Sequence, residues 1–121
     1  MTTATFQITL TPAEPELEGT GRFDFTKTWS GDMAGTSAGV MLSAGDPASG
    51  DAGYVALERF EGTIDGAEGT LVFQQFGMSG ATDDFRYEIV PGSGTGALAG
   101  LGGRVVITIA EDGTHTVVLE R

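Results

Sequence analysis

The sequence predicts an all-β fold of eight short antiparallel strands, arranged as a sandwich or a barrel. Twenty glycines are spread along the 121 residues, and the segments between them are rich in Val, Ile, Thr and aromatic residues. This spacing of turn signals is typical of sandwiches and barrels. No window has the 3.6-residue periodicity of apolar residues that indicates a helix. A chain of this length can build one core, so residues 1–121 are expected to form a single domain.

The predicted strands follow one another in sequence, which makes antiparallel pairing of neighbours the default. Asp-Gly dipeptides at residues 65–66 and 112–113 are expected to form two-residue hairpin turns, because a type I′ turn needs a positive φ at both central positions. Longer connections, expected at the rim of the fold, are the acidic arm at 12–18 and the stretches 43–52 and 77–83. The eight predicted strands are residues 3–11, 20–30, 33–42, 53–61, 68–76, 84–90, 103–110 and 114–120.

The second predicted strand sets a lysine into an apolar stripe. Period-two alternation places Lys27 on the same face as Phe23, Phe25 and Trp29. An unpaired ammonium inside a core costs several kcal/mol, so an interior Lys27 needs a carboxylate partner, and Glu58 is the acid best placed by the same alternation. We therefore predict a Lys27–Glu58 pair. The alternative is that Lys27 extends its stem along the stripe and leaves its charge at the barrel mouth.

The fourth and fifth predicted strands form a hairpin whose register follows from its turn. If Asp65-Gly66 is the turn, Ile64 opposes Ala67, and opposed residues share a face. Both faces mix apolar and polar residues, which predicts that the outer face is covered by a loop or by another subunit. One face carries Tyr54, Glu58, Phe60, Leu71, Phe73 and Gln75, and the other carries Val55, Leu57, Arg59, Val72, Gln74 and Phe76.

A glycine-rich segment at residues 91–103 superficially matches a dinucleotide-binding fingerprint. Gly92, Gly94 and Ala97 have the fingerprint spacing, but that chemistry needs a helix to begin at the last glycine. The residues that follow, 104–109, are β-branched and alternate with period two, so a strand is predicted instead. Similar Gly-x-apolar-x-Gly units occur at 31–35 and 62–66. The segment is therefore predicted to be a junction where the barrel closes.

Composition excludes several classes of function. With 17 acidic and six basic residues the net charge is −11, which disfavours nucleic acid and anionic membrane surfaces. The chain has no cysteine and one histidine, so thiolate or histidine-cluster metal sites are not expected. We expect no metal and no cofactor. The N-terminus has no basic and apolar leader pattern, which favours a cytoplasmic protein.

Three stretches carry a family resemblance. Residues 27–37 (KTWSGDMAGTS), 54–66 (YVALERFEGTIDG) and 92–103 (GSGTGALAGLGG) resemble an uncharacterised bacterial family, the domain of unknown function 3224. That family is similar to the allene-oxide-cyclase and dirigent type of barrel, and the resemblance covers nearly the whole chain. It implies a calycin-like antiparallel barrel of eight strands, often homo-oligomeric, with a cavity. It implies no particular activity.

Three functions remain open at this level. The first is a barrel that binds a small apolar molecule, because a barrel of eight strands can hold one small ligand. The second is a cofactor-independent isomerase or cyclase in which Glu58 acts as acid or base and Lys27 tunes Glu58 or orients the substrate. The third is an oligomerisation module with a plugged interior. The residues expected to line the ligand site are Trp29, Tyr54, Phe60, Phe73 and Gln75.

Overall fold

The computed structural model describes residues 1–121 and contains a closed antiparallel barrel in which each strand pairs with its neighbours in sequence. The predicted all-β class and the eight strands are confirmed. The first, third, fourth and fifth strands extend up to four residues beyond their predicted ends, whereas the last three are one or two residues shorter than predicted. Their bounds are β1 Thr2–Ala13, β2 Gly21–Gly31, β3 Met33–Asp46, β4 Asp51–Ile64, β5 Ala67–Ser79, β6 Asp84–Ile89, β7 Arg104–Ile109 and β8 His115–Glu120.

Only two short helical turns interrupt the strands. Both are 3₁₀ turns of three residues, at Pro47–Ser49 and Gly96–Leu98. Neither could cross a membrane, and the chain has no longer helix.

The two Asp-Gly dipeptides behave differently. Asp65 and Gly66 have φ values of 51° and 82°, and they join β4 to β5 with Ile64 opposite Ala67, as predicted. The prediction for Asp112-Gly113 was wrong, because β7 and β8 are joined by five residues, 110–114, and only Gly113 has a positive φ. The wider loop closes through backbone hydrogen bonds from Gly113 to Ala110 and from Ala110 to Thr114, both 2.9 Å.

The glycine-rich segment at 91–103 connects β6 to β7. Its 3₁₀ turn inserts Leu98 into the core, where that side chain is almost fully buried. A Cβ at Gly94 would lie 2.1 Å from the Leu98 carbonyl oxygen, so the tight turn requires glycine there. A single turn of three residues offers no helix N-terminus for a pyrophosphate. The segment therefore packs against the barrel, and the dinucleotide interpretation fails on geometry.

The strands have unequal lengths, and this leaves one end of the barrel open. β3, β4 and β5 have 13 or 14 residues, whereas β6, β7 and β8 have six. β1 pairs with β8 only from Thr2 to Phe6, and β6 pairs with β7 only through Glu88 and Arg104. The barrel wall is therefore shorter where β6, β7 and β8 form it. We call the end with connections 14–20, 47–50, 80–83 and 110–114 the open end, and the other the closed end.

The core fills the closed half of the barrel. Apolar side chains such as Met33, Phe60, Ile64 and Leu71 are essentially inaccessible there, and Leu98 joins the same cluster. Towards the open end, side chains on the inward face become exposed. Leu10 and Phe85 are each 50% exposed although they share a face with buried neighbours. The interior is thus packed in one half and accessible in the other.

Candidate functional site

The predicted ion pair between Lys27 and Glu58 is present. The two residues lie on β2 and β4, with β3 between them, and Lys27 Nζ is 2.9 Å from Glu58 Oε1. β3 contributes the small residues Ser37 and Gly39 opposite Lys27 and Glu58 respectively, which leaves room for the two long side chains to meet. Both charged side chains are buried, at 3% and 0% exposure.

Glu58 is the centre of a hydrogen-bonded cluster. Its Oε1 accepts from Lys27 Nζ, from Gln75 Nε2 at 3.0 Å and from the Tyr87 hydroxyl at 2.7 Å. Its Oε2 accepts from the Ser37 hydroxyl at 2.5 Å. We call these five residues, Lys27, Ser37, Glu58, Gln75 and Tyr87, the Glu58 cluster. Every buried side-chain polar atom in the structure has a partner, so the charge of Glu58 is compensated in full.

Aromatic rings surround the ammonium of Lys27. Its Nζ lies 4.3 Å from the centre of the Phe6 ring, 4.9 Å from that of Tyr87 and 5.4 Å from that of Phe25. The negative faces of such rings stabilise a cation that has lost its water. Trp29, on the same strand as Lys27, donates its indole N–H to Ser37 Oγ at 3.0 Å and so holds the hydroxyl that binds Glu58.

Burial shifts the pKa values of two cluster members in opposite directions. The pKa of Lys27 is lowered because burial disfavours the ammonium, and the attraction of Glu58 only partly opposes this. The pKa of Tyr87 is raised well above 10.0, first by burial and then by the negative charge and hydrogen bond of Glu58. Both shifts follow from a charged network removed from water.

The raised pKa of Tyr87 predicts a loss of stability in alkali. Above a pH of about 10 the unfolded chain releases the Tyr87 proton while the folded chain keeps it, so the free energy of unfolding falls as pH rises. Urea unfolding from about pH 8 to about pH 11 should therefore show a steeper fall in the natural protein than in Tyr87→Phe, by up to about 1.4 kcal/mol per pH unit. Parallel curves would show that Tyr87 ionises equally in both states.

A cavity lies at the open end, above the Glu58 cluster. It has a volume of about 960 Å³ and is lined by inward-facing side chains that include Phe23, Met41, Tyr54 and Phe85. The Tyr54 and Phe85 rings have centroids 6.5 Å apart. Tyr54 lies across Gly77, where a Cβ would be 2.2 Å from the ring, so glycine there allows the ring to lie against the wall. Burial raises the pKa of Tyr54.

Phe25 and Gln75 lie between this cavity and the Lys27–Glu58 pair. Phe25 is two residues closer to the closed end than Phe23, Gln75 is two residues closer to it than Gly77, and both are buried. Phe25 extends over Gly39, which has no side chain to obstruct it. The amide nitrogen of Gln75 donates to Glu58 Oε1 at 3.0 Å, which ties this side chain to the Glu58 cluster.

The structure separates the residues predicted to line a ligand site. Of these, only Tyr54 lines the cavity. Trp29, Phe60 and Phe73 pack on one another in the closed half, with ring centroids 6.0 to 6.3 Å apart, and Gln75 belongs to the Glu58 cluster.

The sequence reasoning missed Phe23, Met41 and Phe85 as cavity residues. Alternation along β2 places Phe23 on the inward face but does not indicate that it borders a cavity. Met41 and Phe85 carry no pattern that distinguishes them from other apolar residues of their strands. The strand register indicates this cavity, because Gly77 lies opposite Tyr54 of β4 and opposite Phe85 of β6. A glycine between two inward-facing aromatic residues indicates space inside a barrel.

These features define a small closed β-barrel with a buried charged cluster and an apolar cavity at one end. The family model described as "Protein of unknown function (DUF3224)" matches residues 2–120, and the chain belongs to this family. It is similar to the crystal structure of a DUF3224 protein of unknown function from Shewanella oneidensis MR-1, with 36% identity and a TM-score of 0.86. The match covers 98% of this chain and 96% of that one. No curated protein matches the chain.

Proposed function

We propose that this protein binds a small, mainly apolar molecule in the cavity at its open end. The observation that carries the proposal is the cavity itself, about 960 Å³ in volume and lined by Phe23, Met41, Tyr54 and Phe85. This size lies within the range of small-molecule sites, which are mostly apolar with a few polar groups. Phe85 is half exposed although it faces inward. An occupant would remove this apolar surface from water.

Burial of apolar surface in the cavity can supply the free energy of binding for a small molecule. Apolar surface removed from water contributes about 25 cal/mol per Å², so burying roughly 200 Å² stabilises a complex by about 5 kcal/mol before entropy costs. The cavity walls belong to long, paired strands, which hold the lining residues in place before a ligand arrives. A largely preformed apolar site supports binding without a cofactor.

The Glu58 cluster supports binding over the isomerase or cyclase alternative. A substrate of Glu58 or Lys27 must reach the carboxylate or the ammonium, and both are buried beneath Phe25 and Gln75. Both carboxylate oxygens already accept hydrogen bonds from protein groups. The cluster is therefore best explained as an internal support of the barrel beneath the cavity. A catalytic role for the pair is the alternative to binding.

The binding proposal is tested with the neutral fluorescent probe N-phenyl-1-naphthylamine. The natural protein should enhance its fluorescence with saturation at one probe per chain. Met41→Gln should weaken binding about tenfold, because an amide in an apolar site must lose water when the probe enters. Val106→Gln is the control, since Val106 is an apolar residue exposed on the outer face of β7 and does not line the cavity. Equal affinity in both variants would contradict the proposal.

A second proposal concerns an apolar patch on the outside of the barrel. Val40 opposes Leu57 and Leu42 opposes Val55, and all four side chains are exposed on the outer faces of β3 and β4. The sequence predicted that the outer face of β4 and β5, which includes Val55 and Leu57, is covered by a loop or a subunit, and both side chains are exposed in the single chain. Because a net charge of −11 repels a second copy elsewhere, an uncharged patch is where two copies can approach. We propose that it forms a contact between copies.

Sedimentation velocity tests this second proposal. The natural protein should sediment as an oligomer at micromolar concentration, and Leu57→Glu should shift it to the monomer by placing a charge in the contact. Glu61→Gln, an outward substitution nearer the closed end, should leave the oligomer intact. A monomer in the natural protein would overturn the proposed contact.

A further inference from the structure

The acidic charge of this protein is concentrated at the open end. The barrel runs up and down, so four connections meet there. Together with their flanking residues they carry nine of the 17 acidic residues and none of the six basic ones. Three of these acids lie in residues 14–20, two in 46–51, two in 80–84 and two in 110–114.

The charged residues that line the cavity are also acidic. Asp83 and Asp84 are the only charged residues among those that line it, and no lysine or arginine does so. Two arginines on strands near this end already contact acids. Arg22 lies 3.3 Å from Glu16, and Arg86 lies 3.8 Å from Asp84. Arg22 and Arg86 are therefore compensated by acids of the protein itself, and because Asp84 is the partner of Arg86, Asp83 is the acid of the cavity lining that has no basic partner.

The aromatic residues of the lining also favour a cationic ligand over an anionic one. Tyr54 and Phe85 both line the cavity, with ring centroids 6.5 Å apart, and Asp83 lies in the connection just before β6. Ring faces attract cations and not anions, and an ammonium carried by an apolar body gains from both the ring and the carboxylates. Lys27 shows the same chemistry one layer below, with its ammonium against the rings of Phe6 and Tyr87.

We propose that the molecule bound in this cavity is a cationic amphiphile, whose apolar body fills the space between Phe23, Met41 and Tyr54 and whose ammonium lies at the rim near Asp83. The proposal rests on the proposed function, because the aromatic cavity is the site and the acidic rim selects the charge of its ligand. A long-chain carboxylate, similar in its apolar body, is disfavoured by the same field.

The test compares three competitors that share one decyl chain. Decyltrimethylammonium, decanol and decanoate, each below its micellar concentration, displace N-phenyl-1-naphthylamine from the natural protein. We expect the ammonium compound to compete at least about tenfold better than decanoate, with decanol between them. The difference should shrink in high salt, because salt screens exposed charges. Equal competition by the ammonium compound and decanoate would overturn the inference.

Paired variants separate a local effect from net charge. Asp83→Asn should reduce the preference for the ammonium compound by several fold. Glu68→Gln removes the same charge nearer the closed end and should preserve the preference. An equal loss in both variants would overturn the assignment to the rim. If the probe itself does not bind, the proposed function fails; if all competitors displace it equally, binding stands and only the cationic preference fails.

Discussion

Lys27→Met is expected to lower the free energy of unfolding by about 3–5 kcal/mol, because it leaves the buried Glu58 carboxylate without its cation. The Glu58 side chain is fully buried and lies 2.9 Å from the ammonium in the natural protein. Methionine keeps much of the length of the lysine stem, so the loss comes from charge more than from volume. Urea unfolding at neutral pH, followed by the fluorescence of Trp29, measures the change.

Two further variants show whether the cost belongs to the pair. The double variant Lys27→Met with Glu58→Gln should be more stable than the sum of the single losses predicts, because no uncompensated charge remains. Arg59→Met, which breaks the exposed Arg59–Glu61 pair at 3.1 Å, should cost less than about 1 kcal/mol. A loss for Lys27→Met as small as that for Arg59→Met would show that the Glu58 cluster opens to water.

Phe73→Ala is expected to reduce mainly the stability of the protein, and Phe85→Ala mainly its affinity for the probe. Phe73 is fully buried among the aromatic side chains of the closed half, so its truncation should cost about 3–5 kcal/mol of stability and leave probe affinity nearly unchanged. Phe85 is half exposed at the cavity, so its truncation should cost less than about 1 kcal/mol of stability and weaken probe binding about tenfold.

Both variants are measured by the same two experiments, urea unfolding and titration with N-phenyl-1-naphthylamine. Because the substitution is the same, differences between them report position and not chemistry. The opposite result, with probe binding lost in a stable Phe73→Ala protein, would move the ligand site into the closed half of the barrel. It would also restore Phe73 to the binding role that the sequence predicts for it.

Local chemistry made part of the structure predictable. Asp65-Gly66 is a two-residue turn, and its position determines every opposed pair of β4 and β5, including Glu58 opposite Phe73. Alternation along β2 then places Lys27 inside, and the cost of a lone buried ammonium requires an acid nearby. These two arguments make Glu58 the best-placed partner of Lys27 without coordinates, and the structure decides between this pair and a Lys27 charge at the barrel mouth.

The remaining features depend on distances along the barrel axis, which alternation does not report. It places Tyr54 and Phe73 on one face, but it does not say that the first lies in the open half and the second in the packed half. That difference arises because β6, β7 and β8 are short and the wall ends before the inward face of β4 does. Tyr87 joins Glu58 from β6, far along the chain, and no local pattern indicates that contact.

The central claim is that the cavity above Phe25 binds an apolar molecule, and a crystal structure of the protein soaked with N-phenyl-1-naphthylamine tests it most directly. We predict density for one probe between Phe23, Tyr54 and Phe85, with the Glu58 cluster beneath it unchanged. Density for the probe only on the outer patch of Val40, Leu42, Val55 and Leu57, with an empty cavity, would contradict the claim.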